Sequence, residues 1–164
     1  MKSAKSPLQK DKHLMKTLLM AIDHSPVTEK VVALTIEEAL AHRAEVVVLC
    51  CVDPAYSSCN QPMEIDAGED PADFVAAQDE QNTAELVVRH ALAPLLRAGI
   101  NARGMILAGE AADTIIAQSL QLKASMIIMG RRHLSSFNRL LKGSVSASVI
   151  ERAHCPVLVD VRKD

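Results

Sequence analysis

Apolar residues along this chain follow two periods that take turns. After a polar opening rich in Lys and Ser, MKSAKSPLQKDKH, the run HLMKTLLMAID is apolar up to Asp23 and predicts a strand. VTEKVVALTIEEALAHRAE then sets Val27, Val31, Leu34 and Ala41 near helical spacing, with charges on the other side. Ser25 and Pro26 suit the start of that helix, Ser as the cap and Pro in the first turn. EVVVLCCVDP is continuous, apolar and β-branched, which is how a parallel strand covered on both faces reads, and Asp53-Pro54 closes it. From Ala55 to about Pro71 no period survives, so a long mobile loop is expected.

The alternation resumes with a helix predicted from about Ala72 to Ala98. Glu85 and Arg89 support it at a four-residue spacing, and Pro94 is expected to kink or restart it. NARGMILAG, ASMIIMG and PVLVDV supply further strands, while EAADTIIAQSLQLK and GSVSASVIERAHC supply further helices. Five strands alternating with four helices call for a mainly parallel sheet with helices on both faces and right-handed crossovers. Ligands in such sheets bind beyond the carboxyl ends of the strands, where the strand order reverses. Three segments qualify: those after Asp23, after Cys51 and after Gly130.

Composition narrows the classes. A chain of 164 residues with a formal charge of -2 fits one compact domain and lacks the basic excess of a nucleic-acid binder. Aromatic residues are limited to Tyr56, Phe74 and Phe137, so base stacking is poorly supplied. The longest apolar run is far short of the ~20 residues that span a bilayer. No apolar core follows the basic start as a signal peptide requires, so a cytoplasmic location is expected. Cys50 and Cys51 are adjacent on a strand, point to opposite faces, and cannot ligate one metal together. They read as buried structural thiols, and Cys59 in the polar loop is the more reactive candidate.

Candidate chemistry gathers in MGRRHLSSFNRLLKGSVSAS, Met129 to Ser148. Gly143 and Ser144 open the fourth helix, where unpaired N–H groups and the positive end of the helix dipole suit an anion. Ser144 and Ser146 add hydroxyls, and Arg131, Arg132, Arg139 and Lys142 add charge. A capping serine beside a solvated basic face has the same pattern, so the residues alone leave both readings open. Asp23 is likewise placed either to accept bonds from an adenine amine or a ribose hydroxyl, or to cap the helix after it. The stretch is not a Walker loop. No nucleophile elbow, paired carboxylate or HExxH pattern occurs, so no catalytic residue and no metal ligand is assigned.

TLLMAIDHSPVTEKVV, VVVLCCVDP, ASMIIMGRR and KGSVSASVIERAHCPVLVDV together resemble the universal stress proteins, a branch of the adenine-nucleotide-binding α/β folds. The resemblance runs from about Lys16 to Arg162 and implies a single-domain, Rossmann-like sheet of five parallel strands, order 3-2-1-4-5, flanked by four helices. That domain would occupy residues 14–164 behind a flexible tail at 1–13. ATP-binding members carry Gly, two residues, Gly, nine residues, Gly, then Ser or Thr. Gly130 matches the first glycine and Gly143-Ser144 the last pair, but His133 stands at the middle glycine. The resemblance further implies that Asp23 contacts adenosine and that the backbone of Cys51 contacts adenine. Val145 and Ser146 would extend the phosphate-contacting turn, and Met129, Gly130, Arg131, Arg132, His133, Gly143 and Ser144 complete the expected cofactor-binding residues.

A side chain at His133 removes the positive φ and close backbone approach that glycine allows. Weakened or altered ATP binding is therefore expected, with ATP or AMP as candidate ligands and Mg only if ATP is bound. The expected role is a nucleotide- or anion-binding regulatory module of stress response, with an unidentified protein partner. The alternatives are a ligand-free interaction protein of the same fold and a slow ATP hydrolase. PVLVDV would be an open edge strand, and relatives dimerise through it, so a homodimer is expected.

Overall fold

The structure is a computed structural model that describes residues 15–52, 63–65, 80–131 and 144–162. The tail expected at 1–13 lies outside the described residues. In chain order the elements are β1 (Thr17–Ile22), α1 (Val27–His42), β2 (Glu45–Val52), β3 (Met63–Ile65) and α2 (Glu80–Arg97), then β4 (Ala102–Ala108), α3 (Ala111–Gln121), β5 (Met126–Gly130), α4 (Val145–Arg152) and β6 (Val157–Asp160). The sheet runs β3-β4-β2-β1-β5-β6. Without β3, its five parallel strands stand in the order 3-2-1-4-5 counted along the chain, flanked by four helices. This is the fold expected from the sequence.

Two details differ. Met63–Ile65, inside the stretch expected to be loop, is a short strand antiparallel to β4, with Met63 opposite Ile106 and Ile65 opposite Gly104. Three residues are too few to show a period, and the exposed edge of β4 supplies the hydrogen-bonding template that sequence cannot display. The second concerns Pro94, expected to kink or restart the helix: it does not restart α2, which continues to Arg97. Pro94 removes the donor for the His90 carbonyl, but His90 lies on the exposed side, where water can serve that carbonyl. The predicted start of this helix near Ala72 lies outside the described residues.

Alternation along each central strand divides the core. Leu18, Met20, Val46, Val48 and Ile128 pack with Val31 and Val32 of α1 and Val88 and Leu95 of α2. Leu19, Ala21, Val47, Leu49 and Ile127 pack on the other face with Ala112 and Ile115 of α3 and Val149 of α4. Strands buried on both faces need an unbroken apolar run, which is why β2 reads VVVLCCV. Glu85 and Arg89 do pair, Oε1 to Nη2 at 2.8 Å, with side chains only 11 % and 9 % exposed. The pair belongs to the buried flank of α2 and is not a solvated helix contact.

Candidate functional site

The order in which the chain visits its parallel strands reverses between β1 and β5. From β1 the chain steps through β2 to β4 on one side, then returns to β5 and β6 on the other. The last paired residues across this boundary are Ala21 and Met129. Asp23 and Gly130 therefore lie at the same carboxyl-end boundary, the position where such sheets take ligands.

The turn after β1 is built by Asp23. Its Oδ1 accepts from the Ser25 N–H at 2.9 Å, and its carbonyl accepts from the Thr28 hydroxyl at 2.5 Å. Ser25 does not cap α1 with its side chain as expected. Pro26 occupies the cap position with no side-chain bond, and the Ser25 carbonyl accepts from Thr28 N–H at 3.1 Å. The Asp23 carboxylate already holds the turn, and the ring of Pro26 sets its φ near the helical value, so a serine cap is not needed.

Cys51 shows how the ladder exposes a main-chain group. Glu45 N–H donates to Lys16 and Val46 N–H to Asn101, so odd-numbered residues of β2 face β1 and even-numbered ones face β4. Pairing with β1 stops at Ile22 opposite Cys50. The carbonyl of Cys51 thus points past the end of β1, beside the Asp23 turn. The thiol lies on the α3 face, Sγ 4.0 Å from the Ala111 carbonyl. Burial, then the neighbouring Cys50 and Glu110, push its pKa up to about 12, so the thiol is protonated at neutral pH.

At the other side of the boundary Met129 is buried, 5 % exposed, while Gly130 faces α1. A Cβ on Gly130 would stand 2.3 Å from Val27 Cγ1 and 2.9 Å from Val31 Cγ2. The glycine is required for α1 to lie against β5. Arg131 is exposed, and its N–H donates to the Asp160 carbonyl at 3.0 Å. Ser144 is the N-cap of α4, its Oγ accepting from Ala147 N–H at 3.1 Å and lying 3.2 Å from the Ser146 hydroxyl. Ser146 is buried and Val145 exposed. Arg132, His133 and Gly143 lie outside the described residues.

Several residues escaped the sequence reading. Gly109 donates its N–H to Val52 at 3.0 Å, which extends the β2–β4 ladder, and a Cβ there would meet Thr114 Oγ1 at 2.5 Å. Glu110 caps α3, its Oε2 accepting from Asp113 N–H at 2.8 Å. Asp160 and Arg162 form a pair at the end of β6, Oδ2 to Nη2 at 2.6 Å. The acid two residues before an arginine in VDVR was the available signal. Among the described residues no group of three or more His, Cys, Asp or Glu is placed to hold a metal ion. Among the same residues no helix is long and apolar enough to cross a membrane.

A doubly wound, mainly parallel sheet whose strand order reverses between β1 and β5 defines a Rossmann-like fold. Residues 15–162 match the Universal stress protein family, and the chain belongs to that family. It is 30 % identical over 146 residues to the universal stress protein in the QAH/OAS sulfhydrylase 3′ region of Thermus aquaticus, covering 89 % of this chain and 98 % of the relative. Among solved structures it is similar in fold to a universal stress protein in complex with cAMP, TM-score 0.66 at 20 % identity, covering 89 % of this chain and 96 % of that one. It is also similar to the universal stress protein of Archaeoglobus fulgidus in complex with dAMP, TM-score 0.62 at 19 % identity over 88 % and 96 % of the two chains.

Proposed function

We propose that this chain is a regulatory module that holds an adenine nucleotide or another anion at the β1–β5 boundary, with ATP binding weakened or altered by His133. The observation that carries the reading is the convergence there of the Asp23 turn and the outward Cys51 carbonyl, at the carboxyl edge that also leads into α4. A carboxylate and a carbonyl are acceptors for ribose hydroxyls and the adenine amine, while a capped helix start with two hydroxyls suits phosphate. The cAMP and dAMP complexes of proteins with this fold support an adenine monophosphate as the ligand class. Mg enters the reading only if ATP is bound. The reading also includes a homodimer through β6 in the cytoplasm and a protein partner that senses the ligand state.

The His133 argument is steric and carries a magnitude. Forcing a side chain where glycine would take a left-handed φ costs ~1–2 kcal/mol, roughly a fivefold to thirtyfold loss of affinity. Titration calorimetry with AMP, ADP and ATP tests it: AMP is expected to bind, and His133→Gly to raise ATP affinity by about tenfold. Equal ATP affinity in both proteins would remove the steric argument. Absence of binding by all three nucleotides, with none released on denaturation, would favour the ligand-free interaction protein. That second reading draws on Gly130, which α1 packing requires whether or not a ligand is held.

A further inference from the structure

The amino end of the sheet, opposite the proposed ligand boundary, carries a pattern that the ligand contacts leave without a role. The parallel strands start there, and α1, α2 and α3 finish there. Main-chain bonds hold the entries of β1, β2, β4 and β5 side by side: Glu45 N–H donates to Lys16, Val46 N–H to Asn101 and Ser125 N–H to Thr17.

The three helix ends share one motif. In α1 the Arg43 N–H donates to the Leu40 carbonyl at 3.4 Å and Ala44 N–H to Ala39 at 3.0 Å; in α3 the Lys123 N–H donates to Leu120 at 3.1 Å and Ala124 N–H to Ser119 at 2.9 Å. In α2 Gly99 N–H and Ile100 N–H bond Leu96 and Leu95 in the same way. Such endings favour glycine at the left-handed position. α2 has it, Gly99 at φ 76°, but Arg43 and Lys123 take φ 51° and 50° with long cationic side chains, at a steric cost. Cations suit the negative end of a helix dipole, which accounts for the charges but not for the leucines beside them. Leu40 is 56 % exposed and Leu120 51 %, on helices that cover opposite faces of the sheet. Met15, at the entry to β1 between them, is 53 % exposed.

Lys16, Arg43, Arg97 and Lys123 are all exposed at this end. The chain leading into Met15 adds Lys2, Lys5, Lys10 and Lys12 against Asp11. Of the acids nearby, Glu38 pairs with His42 at 3.3 Å, the Glu45 carboxylate accepts from the Thr17 and Asn101 side chains, and Glu37 lies a turn back along α1.

We propose that this end is a docking surface for an anionic lipid membrane: Met15, Leu40 and Leu120 enter the headgroup boundary, while Lys16, Arg43, Arg97, Lys123 and the lysines before them face lipid phosphates. Exposed aliphatic side chains set among cations suit such a boundary. A nucleic acid would use the cations but not the leucines, and finds few aromatic groups for stacking. Attachment is peripheral, since among the described residues no helix is long and apolar enough to cross a membrane. The proposal is independent of the nucleotide reading, whose site lies at the other end of the strands.

Co-sedimentation of the full chain with phosphatidylcholine vesicles, with and without phosphatidylserine, tests it. Partitioning is expected to be about tenfold stronger with phosphatidylserine and to weaken as salt is raised. Arg43→Gly combined with Lys123→Gly, which relieves both left-handed positions, is expected to lower that partitioning about tenfold at a thermal midpoint no lower than wild type. Leu40→Gln combined with Leu120→Gln is expected to lower it about fivefold at an unchanged midpoint, since both side chains are exposed and Gln keeps the helices. Equal partitioning with and without phosphatidylserine, or wild-type partitioning in either double variant, would overturn the proposal. Tight binding of a duplex DNA oligonucleotide that the leucine changes leave unaltered, without sedimentation on vesicles, would overturn it in favour of a nucleic acid.

Discussion

Gly130 answers to two demands at one position. The sequence pattern presents it as the opening glycine of a phosphate motif, whereas the structure shows Val27 and Val31 filling the space a side chain would need. Gly130→Ala is expected to cost about 1–3 kcal/mol of stability by overpacking, read as a lower urea midpoint at unchanged slope. Val27→Ala in the same chain should recover part of it, because the contact atom is removed. A wild-type midpoint for Gly130→Ala alone would contradict the packing account. The place of Asp23 at the carboxyl end of the first strand was legible because it ends an apolar run before a helix. That it builds the turn through Ser25 N–H was not, since the serine cap suggested by Ser25-Pro26 is an equally local solution.

At the scale of elements, β6 carries the clearest electrostatic signature. The Arg162 side chain, then its backbone N–H, hold the Asp160 carboxyl down to about 2, and Lys30 adds to the effect. A carboxyl lowered in the folded state stabilises fully above its unfolded value near 3.9, and that contribution is lost as pH falls through the window to about 2. Chemical denaturation between pH 5 and pH 2 should show a steeper loss of stability in the wild-type protein than in Asp160→Asn. Parallel profiles would show that the Asp160–Arg162 pair does not survive in solution. VDVR revealed the charges but not their burial, since two residues of a strand end carry no period. β3 escaped for the same reason, being defined by the edge it joins and not by its own pattern.

For the whole molecule the two sheet edges differ. β3 lies along β4, while β6 is the last strand on the other side of the described sheet. Ile127 N–H donates to Pro156 and Arg131 N–H to Asp160, so the intervening Val157 and Val159 turn their main-chain groups to the open edge. Val159→Pro would remove an outward donor without touching the β5 ladder. Light scattering at micromolar concentration is expected to give a dimer mass for the wild-type protein and a monomer mass for Val159→Pro. A dimer that persists in the variant would place the contact elsewhere.

The sequence by itself determined the alternation of elements, the parallel sheet and the end of the strands where a ligand would bind. Those follow from local periods and from apolar runs that only a doubly covered strand can bury. Tertiary structure alone decided what Gly130 is for, that the Cys51 carbonyl faces past β1, and that Asp160 is closed off by Arg162. Each depends on which strand lies beside which and on the register between them. Those are contacts between residues far apart in the chain, and no local spacing records them.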